Sequence, residues 1–168
     1  MRVKETASGS DQGLAIVPII EDLQELNLLN GFRGELGVRI NLQSKVKSHW
    51  DKKIDRFGLT SGELVELGRV RNLKILHYHI GSQVERENDM LVILREAFKT
   101  YAKMKAMNPS LDTIDIGGGF AVPYEKKRMY GVESVSKRIL SALQKLSDKA
   151  GIHHPNLSVE WGRYLTAP

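Results

Sequence analysis

Leu111-Asp112-Thr113-Ile114-Asp115-Ile116-Gly117-Gly118-Gly119 reads as a short apolar strand that runs without interruption into three glycines. Glycine lacks a Cβ, so such a run can take positive φ and bring backbone amides close to an anion, a phosphate being the natural guest. A tight strand-to-helix turn with no ligand explains the same residues. The Gly-x-Gly-x-x-Gly spacing of a dinucleotide fold is absent, because Phe120, Ala121 and Val122 follow Gly119.

Working upstream, Met90, Leu94, Ala97, Phe98, Tyr101 and Met104 recur at helical spacing, and Asn108-Pro109 ends that helix. Before it, Leu73 to Ile80 reads as a strand. Thr60-Ser61-Gly62-Glu63 has the spacing of a capping box, opening a helix whose face carries Leu64, Leu67 and Val70. Leu36 to Leu42 is a strand, and Glu21 to Asn30 a helix followed by Gly31 in a capping position. Leu14 to Ile20 is a short strand weakened by Pro18. Downstream, Val132, Val135, Ile139, Leu143 and Leu146 mark a helix stopping near Gly151. Leu157 to Glu160 is the last strand, with no covering helix expected after it.

Strands alternating with helices require crossovers and hence a parallel sheet. A doubly wound sheet and a barrel both satisfy that order. With about five βα units where a full barrel has eight, the expected fold is α/β, a partial (β/α)8 TIM-type barrel with parallel strands. Residues 1–13 form an N-terminal tail and 14–168 the central part of a barrel domain. Strands 14–20 and 157–160 should be sheet edges, and unpaired edges favour self-association of the isolated chain.

Composition narrows the function classes. The chain has 168 residues, 41% of them hydrophobic, and no cysteine, which excludes a disulfide framework and thiolate metal sites. No apolar run is long enough to span a bilayer, and the first residues have no signal-peptide character. A cytoplasmic protein without membrane contact is expected. The net charge is +5, concentrated in Lys45, Lys47, Lys52, Lys53 and Arg56 around His49. A nucleic-acid face is one reading, but only Trp50 and Phe57 supply aromatic interleaving, so a solvated loop is preferred. A loop meeting an anionic cofactor or a neighbouring subunit is a third reading.

In parallel α/β folds chemistry collects at the carboxyl ends of the strands. There the sequence places Asn41, then His79, Gly81, Ser82 and Gln83, then Asp115 with the glycines, then Glu160, Gly162 and Arg163. Arg163 could counter a phosphate charge through its planar fork, or form an ordinary surface ion pair. Glu160 could accept from a protonated ring nitrogen, or pair with Arg163. His77 and His79 share one strand face and could ligate a metal, although no acidic partner follows at convincing spacing. His79 could instead lie flat on an aromatic cofactor, or be structural.

Together the strand ends resemble the alanine-racemase-like pyridoxal-phosphate (PLP) decarboxylases. The likeness rests on His77-Tyr78-His79-Ile80-Gly81-Ser82-Gln83, Ile114-Asp115-Ile116-Gly117-Gly118-Gly119-Phe120 and Glu160-Trp161-Gly162-Arg163. Within that family it extends to the biosynthetic arginine decarboxylases, through Leu76, Val122-Pro123-Tyr124-Glu125 and Gly151-Ile152-His153-His154-Pro155. The resemblance implies that His79 stacks on the PLP ring and Glu160 meets its nitrogen. It also implies that Ser82, Gly117, Gly118, Gly119, Gly162 and Arg163 hold the phosphate, that Arg39 lies near the cofactor, and that Arg56-Phe57-Gly58 matches a segment more often begun by lysine. The implied reaction is decarboxylation of L-arginine to agmatine for polyamine synthesis, in a homo-oligomer, with Mg2+ as an accessory ion. Diaminopimelate or ornithine as substrate, and a non-catalytic regulatory relative, are the alternatives. Two departures stand out. Trp161 occupies a position usually small or proline, and the Schiff-base lysine of the family has no equivalent here, Lys4 lying too close to the next strand. No catalytic residue is therefore assigned, and the chain is expected to be inactive alone.

Overall fold

The computed structural model describes residues 16–29, 31–42, 57–123 and 130–166. They form β1 (Ile19–Ile20), α1 (Leu23–Leu28), β2 (Leu36–Arg39), α2 (Ser61–Leu67), β3 (Leu73–His77), α3 (Glu87–Met107), β4 (Thr113–Asp115), α4 (Val132–Ala150), β5 (Asn156–Ser158) and α5 (Gly162–Thr166). All four strand pairings are parallel, in the order β1-β2-β3-β4-β5. A doubly wound sheet reverses direction at a switch point. Sequential order without reversal is the order of a barrel wall, which decides between the two topologies the sequence leaves open.

Local chemistry explains the boundaries. The Asp22 carboxylate accepts from the Gln24 and Glu25 amides and starts α1. Thr60 and Glu63 close the capping box reciprocally at α2. α4 ends on Gly151 in the left-handed region at φ 65°. Pro18 fits its edge position because only its carbonyl is needed, accepting from the Gly37 amide at 2.8 Å. β2, β3, β4 and β5 end before the apolar runs that announce them, since the last residues of those runs leave the ladder to build loops. After β5 the chain turns into the five-residue helix α5, where the sequence suggested no covering helix. Trp161 and Tyr164 draw it in by packing against Phe120.

Val38, Leu76 and Ile114 are fully buried and lie side by side in register, on the face covered by α3 and α4. The α3 stripe Met90, Leu94, Phe98, Tyr101 and Met104 closes this core. Among the described residues no helix is long and apolar enough to cross a membrane. At the foot of α3, Asn108 is 1% exposed. Its Oδ1 accepts from the Val70 amide at 2.7 Å, and its Nδ2 donates to the carbonyls of Gly68 and Met104. Asn108→Ala strands the Val70 amide and the Gly68 carbonyl, while the Met104 carbonyl keeps the backbone amide of residue 108 at 2.8 Å. The expected loss is about 2–3 kcal/mol, read as a lower urea midpoint with an unchanged m-value.

Candidate functional site

Parallel register stacks residues of equal height into rows across the sheet. Val38, Leu76, Ile114 and Leu157 form an apolar row facing the helices. One residue later, on the opposite face, comes the row Arg39, His77, Asp115 and Ser158. A cation, an imidazole, a carboxylate and a hydroxyl thus crown the carboxyl ends of four adjacent strands.

Above this row the loops are tied together by backbone. The Tyr78 amide donates to the Asp115 carbonyl, Ile116 to Ser158, and Glu160 to Gly117, each within 3.0 Å. Two glycines are needed for this contact whatever the ligand. A Cβ on Gly117 would stand 2.5 Å from the Tyr78 carbonyl, and one on Gly119 would stand 2.6 Å from that of Gly81. Both have positive φ, +60° and +94°. Gly118 lies against the His79 ring and donates its amide to His79 Nδ1 at 3.2 Å. His79 therefore carries its proton on Nε2 when neutral. Gln83 clamps Val122 with two 2.9 Å bonds, joining the loops after β3 and β4.

The other expected residues are placed as follows. Arg39 is held by Glu21 at 2.5 Å and lies over the Phe57 ring, 5.0 Å from its centre. Ser82 is half-buried, and Gly162 has open space around it. Arg163 is exposed in α5, at the same end of the sheet as Gly118, which lies against the Glu160 carbonyl. Trp161 faces the helices: its ring is 4.8 Å from that of Phe120, and it borders a small gap with Ile80, Met90 and Ile139. The basic loop with Arg56, the segment Tyr124-Glu125 and Lys4 lie outside the described residues.

Two further residues join the site: the sequence offered His77 only as a metal partner of His79, and Asp115 only as a strand-end position. His77 and Asp115 are each 6% exposed. His77 Nδ1 lies 3.2 Å from Asp115 Oδ2 and 3.9 Å from Glu160 Oε1. The shorter contact is within reach but off the line a hydrogen bond requires, so Nδ1 is a buried polar atom without a formed bond. The three side chains are the group of metal-capable residues found together among the described residues. The acidic partners that spacing failed to supply for His77 come from neighbouring strands at the same height.

Their electrostatics diverge. Burial pushes Asp115 up, but the His77 imidazole 3.2 Å away and the hydrogen bond from the Gly117 amide outweigh it and hold the carboxyl below the ordinary aspartate value. Glu160 is pushed above the ordinary glutamate value by burial and by the Asp115 charge, with His77 and Arg39 pulling the other way. Its side chain is 54% exposed, which limits what burial contributes beside the Asp115 charge. A shallow polar cleft of about 700 Å³ lies at the other, amino-terminal end of the strands, lined by Arg33, Lys74, Asp112, His153 and His154. Lys74 is already paired there with Asp112 and Glu35, so that cleft offers no convergent site.

A group whose folded pKa is depressed stabilises the fold above its unfolded pKa, and that stability is lost as pH falls through the folded value. Asp115→Asn should therefore be less stable than the parent at pH 7. The gap should narrow below about pH 4, as the parent's Asp115 becomes protonated. Urea midpoints measured from pH 7 to pH 3 test this, and a gap that stays constant contradicts it.

Comparison with known proteins agrees with this geometry. The profile of the pyridoxal-dependent decarboxylase, pyridoxal binding domain, matches residues 10–167. A biosynthetic arginine decarboxylase of Bacteroides thetaiotaomicron is 35% identical over 92% of this chain and 28% of its own length. The biosynthetic arginine decarboxylase of Campylobacter jejuni superposes with a TM-score of 0.76 at 27% identity, over 91% of this chain and 28% of that one. A diaminopimelate decarboxylase of M. jannaschii shares the fold, with a TM-score of 0.74 at 24% identity over 89% of this chain and 38% of that one. The chain thus spans less than a third of the length of the arginine decarboxylases it matches. It belongs to the pyridoxal-dependent decarboxylases, as a pyridoxal-binding domain sequence of that family.

Proposed function

We propose that this chain forms the cofactor-binding wall of a PLP-dependent arginine decarboxylase that converts L-arginine to agmatine and CO2, the first step toward polyamines. The observation that carries the reading is the convergence of His79, the glycine loop and Glu160 at the carboxyl ends of three consecutive strands. The donor set suits PLP. An imidazole ring fixed by the Gly118 amide offers a flat face. A carboxylate at the end of β5 can meet a ring nitrogen. Ser82 and Arg163 have no partner among the described residues and can serve a phosphate.

Bound PLP supplies an electron sink for the pair left when CO2 departs. The chain's own residues bind and orient. Glu160 holds or accepts the proton at the ring nitrogen, which sets how strongly the ring draws electrons. His79 covers one ring face. Gly118, whose amide is taken by His79, orients that imidazole, and Gly117 and Gly119 hold the loop at the required approach. Arg163 neutralises phosphate charge. Arg39, tied to Glu21, acts from beneath on Glu160. The described lysines lie on α3 and α4 or, for Lys74, in the pair with Asp112. We therefore assign covalent holding of the cofactor to a lysine outside the described residues.

Arginine as substrate rests on likeness to arginine decarboxylases, not on fold, since a diaminopimelate decarboxylase fits almost as well. The same likeness supports a homo-oligomer and a cytoplasmic setting for the whole protein. Mg2+ finds no support in these residues. It prefers octahedral oxygen ligands, and the described cluster includes an imidazole and the glutamate assigned to the ring.

The reading is tested by titrating the full chain with PLP and with pyridoxal, which lacks the phosphate. PLP should bind more tightly. Arg163→Ala should weaken PLP by about tenfold or more and leave pyridoxal nearly unchanged. Equal loss for both ligands, or no binding of PLP, defeats the assignment. Borohydride treatment should trap no adduct on one particular described lysine, and the chain by itself should release no CO2 from arginine.

A further inference from the structure

We propose that His77 and Asp115 are positioning residues for Glu160, with His77 carrying its proton on Nδ1 and presenting it to both carboxylates. What Glu160 then does rests on the cofactor reading above, but the arrangement itself does not.

Geometry carries this. His77 Nδ1 is buried, lacks a formed bond, and has two carboxylates as its near neighbours, at 3.2 and 3.9 Å. An ionised carboxylate can only accept, and Asp115, anchored by the Gly117 amide, is the ionised one at 3.2 Å, so the nitrogen facing it must be the donor. His79, two residues on, is fixed in the opposite state, because its Nδ1 accepts from the Gly118 amide. Two histidines of one strand end are thereby set in opposite tautomers by their neighbours. The Nδ1–H form is the less common one for a histidine in water, so its appearance at His77 needs a cause, and the acid pair is that cause.

The consequence reaches Glu160. The groups that face it are Asp115 from β4, His77 from β3 and Arg39 from β2, the last shared with Glu21. Asp115, anchored by the Gly117 amide at 2.9 Å, keeps its negative charge and disfavours a second one beside it. His77 and Arg39 favour the charged form of Glu160. Glu160 is thus poised between donating and accepting a proton. A group that must exchange one with a ring nitrogen needs that balance.

The test uses the full chain, with 15N-histidine and 13C-carboxyl glutamate. Two-bond proton–nitrogen spectra, assigned with His77→Asn and His79→Asn, should show neutral His77 as the Nδ1–H tautomer and neutral His79 as Nε2–H. The Glu160 carboxyl, assigned with Glu160→Gln, should titrate above ordinary glutamates. Asp115→Asn should shift its midpoint down and His77→Asn should shift it up. Opposite shifts are a signature that general loss of structure does not produce.

An Nε2–H tautomer at His77, or two variants moving Glu160 in the same direction or not at all, overturns the proposal. Loss of the His77 Nδ1 proton on adding one equivalent of Zn2+ also overturns it, in favour of a metal ligand set. Should Asp115→Asn fail to fold, the parent tautomers and the parent Glu160 midpoint still decide. PLP is absent from all these measurements. A chain with the expected tautomers that fails to bind PLP refutes the cofactor reading and leaves the bridge standing.

Discussion

In-register parallel pairing is the constraint on which the rest of this structure depends. Because all strands run the same way and none is skipped, residues of equal height align into rows. Alternation then sends successive rows to opposite faces. One row, Val38-Leu76-Ile114-Leu157, joins the helices in the core. The next, Arg39-His77-Asp115-Ser158, has nowhere to go but the polar face. The core and the site are two consequences of one register, a single residue apart. A slip of one position would exchange them and bury four polar side chains among α3 and α4.

This division also explains the Glu160-Trp161 pair. Read in sequence, a large indole directly after Glu160 looks obstructive. In space the two side chains leave the backbone on opposite sides. Glu160 turns toward His77, and Trp161 toward Phe120, Tyr164 and the gap beside Ile139. The bulk stabilises the helical side and draws in α5. The departure from the family pattern is taken up in packing on the helical side, in a gap that Trp161 shares with Gly118.

Much of the fold was legible because its signals are local. The capping box at Thr60, the stop at Asn108-Pro109, the αL glycine at 151 and the α3 stripe each act within a few residues. Strand lengths were overestimated because apolar runs continue into loops, where Ile80 and Ile116 bury themselves without joining the ladder. The site was legible where its residues sit in one short stretch, as with the glycines and His79. The His77–Asp115–Glu160 grouping was not, because its members come from three strands and their sequence spacing means nothing. What places them together is height on the sheet, visible only once strand order and register are known. Gln83 was placed at this rim from the sequence, but its partner was not legible for the same reason, Val122 being in the next loop.

The polar row carries a physical signature of its own. A sheet face selected only for stability would pair or replace a buried imidazole nitrogen that makes no bond, since such an atom is among the costlier things a protein can bury. It would also not set a second carboxylate beside Asp115, where the charge of one raises the proton affinity of the other. These features oppose stability and sit together at the carboxyl ends of the strands. The amino-terminal end shows the reverse, with Lys74 satisfied by Asp112 and Glu35 and an ordinary solvated cleft around them. Unresolved polar interactions at one end of a sheet and satisfied ones at the other are what a fold shows when one end is kept for chemistry.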